Sequence, residues 1–205
     1  MFDCSKSTKY RNNIMAKITE GVYKIKGDGN VYVILGGKNI VIDTGDLINS
    51  LTIKSEIEKI VVLDKVDIVL LTHLHYDHAG NVDLFPNAEF YASVEEIENY
   101  RERPEESFFS GISKKSDIIL RERLKPLSDS IIGLEVIRVP GHTRGSVAFL
   151  DRERGLLFSG DTIFGDRIGR TDLPNSVPDE MAESVERLIG LVEDGELVLC
   201  PGHDY

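Results

Sequence analysis

The sequence predicts an α/β fold built from two halves, each of which contains two strands followed by a helix (a ββα unit). Short apolar runs typical of β-strands alternate along the chain with stretches of helical periodicity. A weak internal repeat supports the two halves, because one predicted hairpin ends at Asp43, a later one ends near Asp161, and a loop and a helix follow each. The 205 residues suit one domain over 1–205, with residues 1–16 as a loose arm or an edge strand.

The first half contains five predicted strands and two predicted helices. The strands are alternating or continuously apolar runs at 21–26, 31–35, 39–43, 67–71 and 89–92. Gly36 and Gly37 separate the second strand from the third, and we expect a hairpin there because both glycines can adopt a positive φ. One helix covers 47–62, where Ile53 and Ile57 share a face, and a more polar helix covers 93–103.

The second half contains four predicted strands and one long helix. The strands cover 134–139, 146–150, 156–159 and 197–200, and the second and third of them form a hairpin. The helix covers 178–192 and begins at Pro178, where the missing N–H costs no hydrogen bond. Residues 104–130 mix aromatic, basic and apolar side chains, and they predict a helix or a long loop of undefined position.

Composition and net charge limit which classes of binding partner and which cellular compartment suit this chain. The chain carries 35 acidic and 24 basic residues, a formal net charge of −11, and such a surface repels the phosphate backbone of nucleic acids. No apolar run reaches the roughly 18 residues of a membrane span, and the N-terminus lacks the apolar segment of a signal peptide. The chain has only two cysteines, which are too few for a disulfide framework. We therefore expect a cytoplasmic monomer or homodimer that acts on a small molecule and binds neither nucleic acid nor membrane.

Three of the five histidines lie within six residues, directly after the predicted strand 67–71. His73 and His75 are two positions apart, so in an extended chain both imidazoles point the same way and supply half of a tetrahedral metal site. Asp77 and His78 follow where the chain should turn into a helix, and they would face a second point a few ångströms away. The segment predicts a metal centre, since three crowded imidazoles without an ion would add no stability to a surface loop.

His142, Asp161 and His203 also come shortly after apolar strands. Each alone is an ordinary turn residue. Together with the four residues at 73–78, they place seven potential metal ligands after strand ends, as a metal site at one edge of a sheet requires. A non-catalytic, metal-stabilised domain would saturate four ligands on each ion. Seven groups for two ions leave room for water, so catalysis is favoured.

These motifs resemble those of the metallo-β-lactamase-fold hydrolase superfamily. The matching motifs are Thr-His-x-His-x-Asp-His at 72–78, Gly-His-Thr at 141–143, Gly-Asp-Thr at 160–162 and Gly-His-Asp at 202–204. They follow the order and spacing of that family, and Ile-Asp-Thr-Gly at 42–45 fits as well. The resemblance implies a four-layer αββα sandwich with the metals at the edge between its two sheets.

The resemblance also implies the roles of the seven side chains. The residues that match one metal site are His73, His75 and His142, and those that match the other are Asp77, His78 and His203. Asp161 matches the residue that bridges both ions. The nucleophile is then a hydroxide held between two divalent metal ions, and Asp77 and Asp161 act catalytically through it. We expect zinc, while iron and manganese also suit histidine and carboxylate ligands.

Within this superfamily, residues 160–173 resemble the glyoxalase II-like enzymes, which hydrolyse thioesters of hydroxy acids. We therefore expect hydrolysis of a small thioester or ester. Glyoxalase II usually has a Gly-Arg-Phe-type sequence where this chain has Gly-Arg-Thr, and it carries a C-terminal helical region that helps to hold glutathione, so the thiol carrier stays open. The alternative is a mononuclear iron persulfide dioxygenase, whose ligands match His73, His142 and Asp161. Some relatives cut RNA, but the net charge of −11 argues against nuclease activity.

Four further residues are candidates for orienting ligands or binding substrate. Asp43 either orients a ligand imidazole or only forms the turn before the following glycine. Tyr76 either lines the mouth of the pocket or packs on the helix that follows. Thr143 is included because it belongs to the Gly-His-Thr motif. Arg170 either reaches a substrate carboxylate or pairs with an acidic neighbour such as Asp172, and we favour the pair.

For two aromatic residues and one cysteine, the sequence favours a packing role over a role in the site. Phe108 and Phe109 either wall the substrate pocket or pack a helix against the core, and we favour packing. Cys200 is expected to be a small buried residue, because the metal centre needs no protein nucleophile.

Overall fold

The computed structural model of the chain describes residues 14–108, 111–195 and 197–204, with the backbone alone at 194 and 195. The loose arm predicted for residues 1–16 therefore lies mostly outside the described residues. Where the description begins, Met15–Thr19 forms an edge strand, β1, which shares only Met15 and Ala16 with that stretch.

Within the described residues, the first sheet contains seven strands in their order along the chain. After β1 come β2 (Val22–Ile25), β3 (Val31–Ile34), β4 (Ile40–Ile42), β5 (Ile68–Leu70), β6 (Glu89–Ala92) and β7 (Leu124–Pro126). Neighbours from β1 to β4 are antiparallel, and those from β4 to β7 are parallel. Parallel neighbours need crossover connections, and these contain α1 (Ser50–Glu58), α2 (Tyr76–Ala79), α3 (Val94–Glu102) and α4 (Lys114–Glu122).

The second half forms a smaller sheet, a hairpin and one long helix. Its elements are β8 (Ser130–Ile131), β9 (Leu134–Arg138), β10 (Val147–Asp151), β11 (Leu156–Gly160), β12 (Ile163–Phe164), β13 (Arg167–Ile168), α5 (Pro178–Gly195) and β14 (Val198–Pro201). Five of these strands form a sheet of order β14-β11-β10-β9-β8, and β12 pairs with β13. Because β14 runs parallel to β11, α5 supplies the crossover between them.

The two sheets pack face to face because their strands carry apolar residues on both faces. In β3, Tyr32 and Ile34 belong to the core between the sheets, while Val31 and Val33 belong to the core under α1, α3 and α4. The Tyr32 ring meets the edge of Phe158 from the second sheet, with centroids 5.1 Å apart.

A third core lies on the outer face of the second sheet. Ala148 and Leu150 of β10 pack there with Leu188 of α5. The layers therefore run helix, sheet, sheet, helix, and the predicted αββα sandwich is confirmed. Over the residues that the structure describes, there is no helix with the length and apolar character needed to cross a membrane.

The predicted elements differ from the structure at three places. The hairpin of β3 and β4 forms, but neither Gly36 nor Gly37 has a positive φ, because a five-residue bend replaces the expected two-residue turn. Residues 104–130 contain α4, β7 and the first residue of β8, and these elements are too short to give a clear periodic pattern. The hairpin of β12 and β13 is absent from the prediction for the same reason, since each strand has two residues.

Candidate metal centre

All seven predicted ligand side chains lie just beyond the ends of strands, and their polar atoms converge. His73 and His75 follow β5, Asp77 and His78 lie in α2, His142 follows β9, Asp161 follows β11, and His203 follows β14. Each is at most 8% exposed. The predicted turn into a helix after His75 is present, so the segment places two imidazoles on an extended stretch and two further groups on the first helical turn.

Two groups of three side chains form the ends of the centre, each with ligand atoms within 4.8 Å of one another. They are His73, His75 and His142, called the histidine triad below, and Asp77, His78 and His203, called the acidic triad. In the histidine triad, His75 Nδ1 lies 2.9 Å from His142 Nε2. In the acidic triad, His203 Nε2 lies 3.2 Å from Asp77 Oδ2 and 3.4 Å from His78 Nε2.

Asp161 lies between the two triads. Its Oδ2 is 3.4 Å from His142 Nε2 and 3.1 Å from His203 Nε2, and its Oδ1 is 3.1 Å from His78 Nε2. One carboxylate therefore contacts an imidazole of each triad. A third convergent set joins the same carboxylate to His73 and His78. This is the placement that a ligand shared by two ions requires.

The imidazoles of the histidine triad are held neutral by burial. Burial, and then the neighbouring His142, lower the pKa of His75 to about 3. Burial also lowers the pKa of His142, and it lowers the pKa of His73 well below its usual range, with His78 and His75 adding to the effect. A neutral imidazole offers a lone pair to a cation, so this triad can accept an ion without first losing a proton.

In the acidic triad, the nearby carboxylates outweigh burial, so the pKa values of its imidazoles are raised. Burial acts to lower the pKa of His78, but Asp161, Asp77 and Asp43 outweigh it and raise that pKa well above the usual range. Burial likewise acts to lower the pKa of His203, while hydrogen bonds to Asp161 and Asp77 raise it to about 9. Protons on these imidazoles balance the carboxylates when no ion is present. A divalent cation would take their place, and its binding would release them.

The donor set fits divalent cations. His73 Nε2 is buried and has no hydrogen-bond partner among the described residues, and a buried polar atom in this state needs an explanation. A cation at the histidine triad would supply the missing partner. Five imidazoles and two carboxylates are ligands that zinc, iron and manganese share. The three overlapping groups have the composition of a two-ion centre with Asp161 at its middle.

Asp43 contacts an imidazole of the acidic triad, which is the first of the two roles that its sequence position left open. Its φ of 56° lies in the left-handed region of the backbone. Its Oδ2 accepts hydrogen bonds from His78 Nδ1 and from Thr72 Oγ1, each at 2.8 Å, and its Oδ1 accepts one from Thr72 N at 2.8 Å. The bond from Nδ1 directs His78 Nε2 toward Asp161 and fixes the tautomer that can bind a metal.

Two contacts that orient imidazoles of the histidine triad lie outside the sequence predictions. His142 Nδ1 donates to the backbone oxygen of Arg170 at 2.7 Å. His73 Nδ1 lies 3.1 Å from Thr72 Oγ1. A backbone carbonyl exists at every position, so the first contact leaves no signal in the sequence.

The chain comes so close to the centre at Gly202 that only glycine fits. A Cβ at this position would overlap Asp161 Oδ1 and would lie 2.9 Å from His78 Cε1. The Pro-Gly pair before His203 therefore does more than turn the chain after β14. It lets the loop of His203 approach Asp161 closely.

A cleft of about 580 Å³ opens above the centre. The ligand candidates that line it are His75, Asp77, His142, Asp161 and His203. Its other walls are Asp28, Tyr76, Phe164, Arg167, Ile168, Arg170 and Leu173. The volume suits a small molecule, and the walls combine apolar and charged side chains.

Two of the remaining predicted residues line this cleft. Tyr76 does so, which is the first of its two predicted alternatives, and its hydroxyl donates to Asp28 Oδ2 at 2.8 Å. Its side chain also packs against the core under α1, α3 and α4. Arg170 lines the cleft as well. Its Nε and its NH2 nitrogen each lie 2.9 Å from a carboxylate oxygen of Asp172, which is the alternative that the sequence favoured.

Thr143 and Phe108 lie away from the cleft. Thr143 is buried, and its Oγ1 lies 2.7 Å from Ser146 Oγ, so it supports the loop of His142. Phe108 packs against Tyr100 in the core under α1, α3 and α4, with ring centroids 5.6 Å apart. It is not part of a helix, but it packs as expected. Phe109 lies outside the described residues.

The hairpin of β12 and β13 supplies cleft residues that the sequence prediction missed. Phe164, Arg167 and Ile168 line the cleft from this hairpin. A signal for it exists, because Gly165 and Asp166 form a two-residue connection of the Gly-Asp type, and Gly165 has a φ of 66°.

This chain matches a protein family, a relative of known sequence and a solved structure. The sequence profile described as the metallo-beta-lactamase superfamily matches residues 25–203. A probable metallo-hydrolase, MJ0888 of Methanocaldococcus jannaschii, is 30% identical over 197 residues, which are 89% of this chain and 92% of that protein. A crystal structure of TTHA1623 in a di-iron-bound form superposes with a TM-score of 0.69 at 29% identity, covering 86% of this chain and 88% of that one.

Longer relatives carry a more specific name. The hydroxyacylglutathione hydrolase of Psychromonas ingrahamii is 34% identical over 91% of this chain, and that of Aeromonas hydrophila is 33% identical over 81%. The chain spans 66% and 57% of the length of these two proteins.

Proposed function

This chain belongs to the metallo-beta-lactamase superfamily and is a metal-dependent hydrolase, and we propose that it cleaves a small thioester or ester at the seven-residue centre. The observation that carries the proposal is the convergence of two triads on Asp161, with His73 Nε2 buried and without a hydrogen-bond partner. Hydrolysis suits such a centre, because the chemistry requires only an activated water and a polarised carbonyl group.

The proposed reaction assigns separate tasks to this chain's residues. Two divalent ions bound here would supply a Lewis acid and lower the pKa of a bound water to about 7. Asp161 holds the two triads in register through its contacts with His142, His78 and His203. Asp77 lines the cleft, so its carboxylate is in place to take the proton of the attacking water. The oxygen of that water adds to the carbonyl carbon, the carbon–sulfur bond breaks, and the thiol leaves with a proton.

The substrate class is supported by the relatives and by the cleft. Two relatives named hydroxyacylglutathione hydrolase share 33% and 34% identity with this chain. The apolar side chains of Phe164, Ile168 and Leu173 give the thiol part of a substrate a surface to pack on. The thiol carrier is left open, since the chain matches only part of the length of these relatives. We include zinc as the ion and the cytoplasm as the compartment in this proposal.

The test is thioester hydrolysis by protein loaded with zinc, iron or manganese. The substrates are lactoyl thioesters of glutathione and of a simple alkyl thiol, and the measurement is thiol release. We expect turnover of at least one of them. Asp161→Ala should lower kcat about a hundredfold or more, because several kcal/mol of transition-state charge stabilisation depend on the bound ions. Asp67→Ala is the control, since Asp67 pairs with Lys38 and is not part of the cleft. Full activity in Asp161→Ala would refute the proposal.

The same preparation separates hydrolysis from persulfide oxygenation. Oxygen consumption with a thiol persulfide, at one iron per chain, would identify the oxygenase alternative. The convergence of Asp77, His78 and His203 does not separate the two alternatives, so the measured metal content and the oxygen consumption decide between them.

A further inference from the structure

We infer that Glu96 is a positioning residue, whose buried carboxylate joins the loop of His73 and His75 to the loop of His142 and so sets the spacing of the histidine triad. The inference rests on the proposed role of these three imidazoles as metal ligands. The loops come from different sheets, because one follows β5 and the other follows β9.

Glu96 reaches both loops through hydrogen bonds to backbone N–H groups. Its Oε2 accepts from Leu74 N at 2.8 Å, and Leu74 lies between His73 and His75. Its Oε1 accepts from Gly145 N at 3.3 Å, three residues after His142. A displacement of Leu74 would move the two imidazoles on either side of it, so the carboxylate determines where that loop lies relative to the second sheet.

The start of α3 is built around this contact. Ser93 caps the helix, and its Oγ accepts a hydrogen bond from Glu96 N at 3.2 Å. The same Oγ donates to Gly145 O at 2.7 Å. A Cβ on Gly145 would lie 2.7 Å from Glu96 N and 2.8 Å from Glu96 Cγ, so only glycine allows this approach. Both the N–H and the C=O of Gly145 are therefore held by α3.

A carboxylate at this position needs a reason, because burying one is costly. Glu96 is 2% exposed, and burial raises its pKa, although hydrogen bonds from Thr143, Leu74 and Gly145 oppose that shift. The pattern Ser-x-x-Glu ordinarily forms a capping box, in which the glutamate side chain accepts a hydrogen bond from the backbone N–H of the capping serine. Here the carboxylate bonds to two loops that both carry ligand imidazoles, which a purely local cap would not require.

The test compares metal binding in the unaltered chain, Glu96→Gln and Glu96→Ala. Glutamine keeps the size of the side chain but replaces one acceptor oxygen with a donor, which then faces a backbone N–H. The zinc Kd of each ion is measured by competition with a chelator, and the thermal midpoint is measured on ion-free protein. We expect Glu96→Gln to raise the Kd of one of the two zinc ions about tenfold or more. The Kd of the other ion should stay within threefold of its value in the unaltered chain. Glu96→Ala should have the larger effect.

A second variant identifies which ion is weakened. Asp77→Ala removes a ligand from the acidic triad, so the ion that it retains belongs to the histidine triad. Combined with Glu96→Gln, it should leave no tightly held ion. Tyr100→Phe is the matched control, because it removes a buried hydroxyl bond of α3 to Asp117 without contacting either loop. It should lower the thermal midpoint and leave both Kd values unchanged.

The inference is overturned if Glu96→Gln weakens both ions equally, or if it lowers only the thermal midpoint. Failure of the proposed function gives a different result. An unaltered chain that binds two ions but cleaves no thioester refutes the substrate class, and selective loss of one ion in Glu96→Gln then still supports the inference. An unaltered chain that binds no ion overturns both.

Discussion

Replacing Asp43 with asparagine gives a sharp test of how the acidic triad is oriented. Both carboxylate oxygens act as acceptors, Oδ2 from His78 Nδ1 and Oδ1 from Thr72 N, each at 2.8 Å. In asparagine one of them becomes an NH₂ group. Whichever way the amide turns, this donor faces another N–H in a buried site. Asparagine tolerates the left-handed φ of 56°, so the backbone conformation survives the change.

The expected cost follows from these contacts. One buried donor left unsatisfied costs about 1–3 kcal/mol, which for a chain of this size corresponds to a fall of about 2–12 °C in the thermal midpoint of ion-free protein. His78 escapes the clash by giving up its proton on Nδ1 and keeping the one on Nε2, and that tautomer offers no lone pair to an ion at the acidic triad. Loss of an orienting partner of this kind typically weakens metal affinity by about 10–100-fold, or about 1.4–2.8 kcal/mol.

The assay is chelator competition for each ion, with the thermal midpoint measured in parallel. Asp151→Asn is the control, because Asp151 is 1% exposed and bonds to Arg154 away from the centre. It should lower the midpoint without changing metal affinity. If Asp43→Asn bound both ions within twofold of the unaltered chain, Asp43 would not orient a ligand, and the reasoning would be refuted.

Three further changes have defined outcomes. Gly202→Ala should abolish tight binding of at least one ion, because its Cβ would overlap Asp161 Oδ1. Gly37→Ala is the control, because nothing lies within 4 Å of the added Cβ, and it should leave the metal content unchanged. Elemental analysis measures the metal content of both variants. Phe149→Ala should lower the free energy of unfolding by about 3–5 kcal/mol in urea denaturation, since this side chain is fully buried between the sheets; a loss below 1 kcal/mol would contradict that packing. Burial raises the pKa of the Cys200 thiol from about 9 to about 12, so its contribution to stability is complete below about pH 9 and is lost as the pH rises toward 12. In a Cys4→Ser background, iodoacetamide at pH 8 should label Cys200 much more slowly in native than in urea-unfolded protein, and equal rates would disprove its burial.

The positions of the ligand candidates could be predicted from sequence because local geometry determines them. A strand that ends before His73 and a helix that begins after His75 are enough to direct four side chains toward two nearby points. The other three candidates each follow a strand and a turn signal. The four layers were predicted only through the resemblance, since strand periodicity shows which faces are buried but not which sheet covers them.

Contacts between distant parts of the chain could not be predicted. Glu96 bonds to Leu74 and Gly145, which lie 22 and 49 positions away, and its sequence pattern has a local explanation as a helix cap. The backbone oxygen of Arg170 that orients His142 carries no side-chain signal. Phe164 of the short hairpin shows the other limit, since two-residue strands are too brief for an alternating pattern.

Metal stoichiometry tests the central claim most directly. The folded chain is loaded with excess zinc, iron or manganese, passed through a chelating resin, and analysed for metal per chain beside Asp161→Ala. Two triads that share Asp161 predict two ions per unaltered chain and a marked loss of bound metal in the variant. One ion or none in the folded, unaltered chain, with every metal tried, would contradict the two-ion centre.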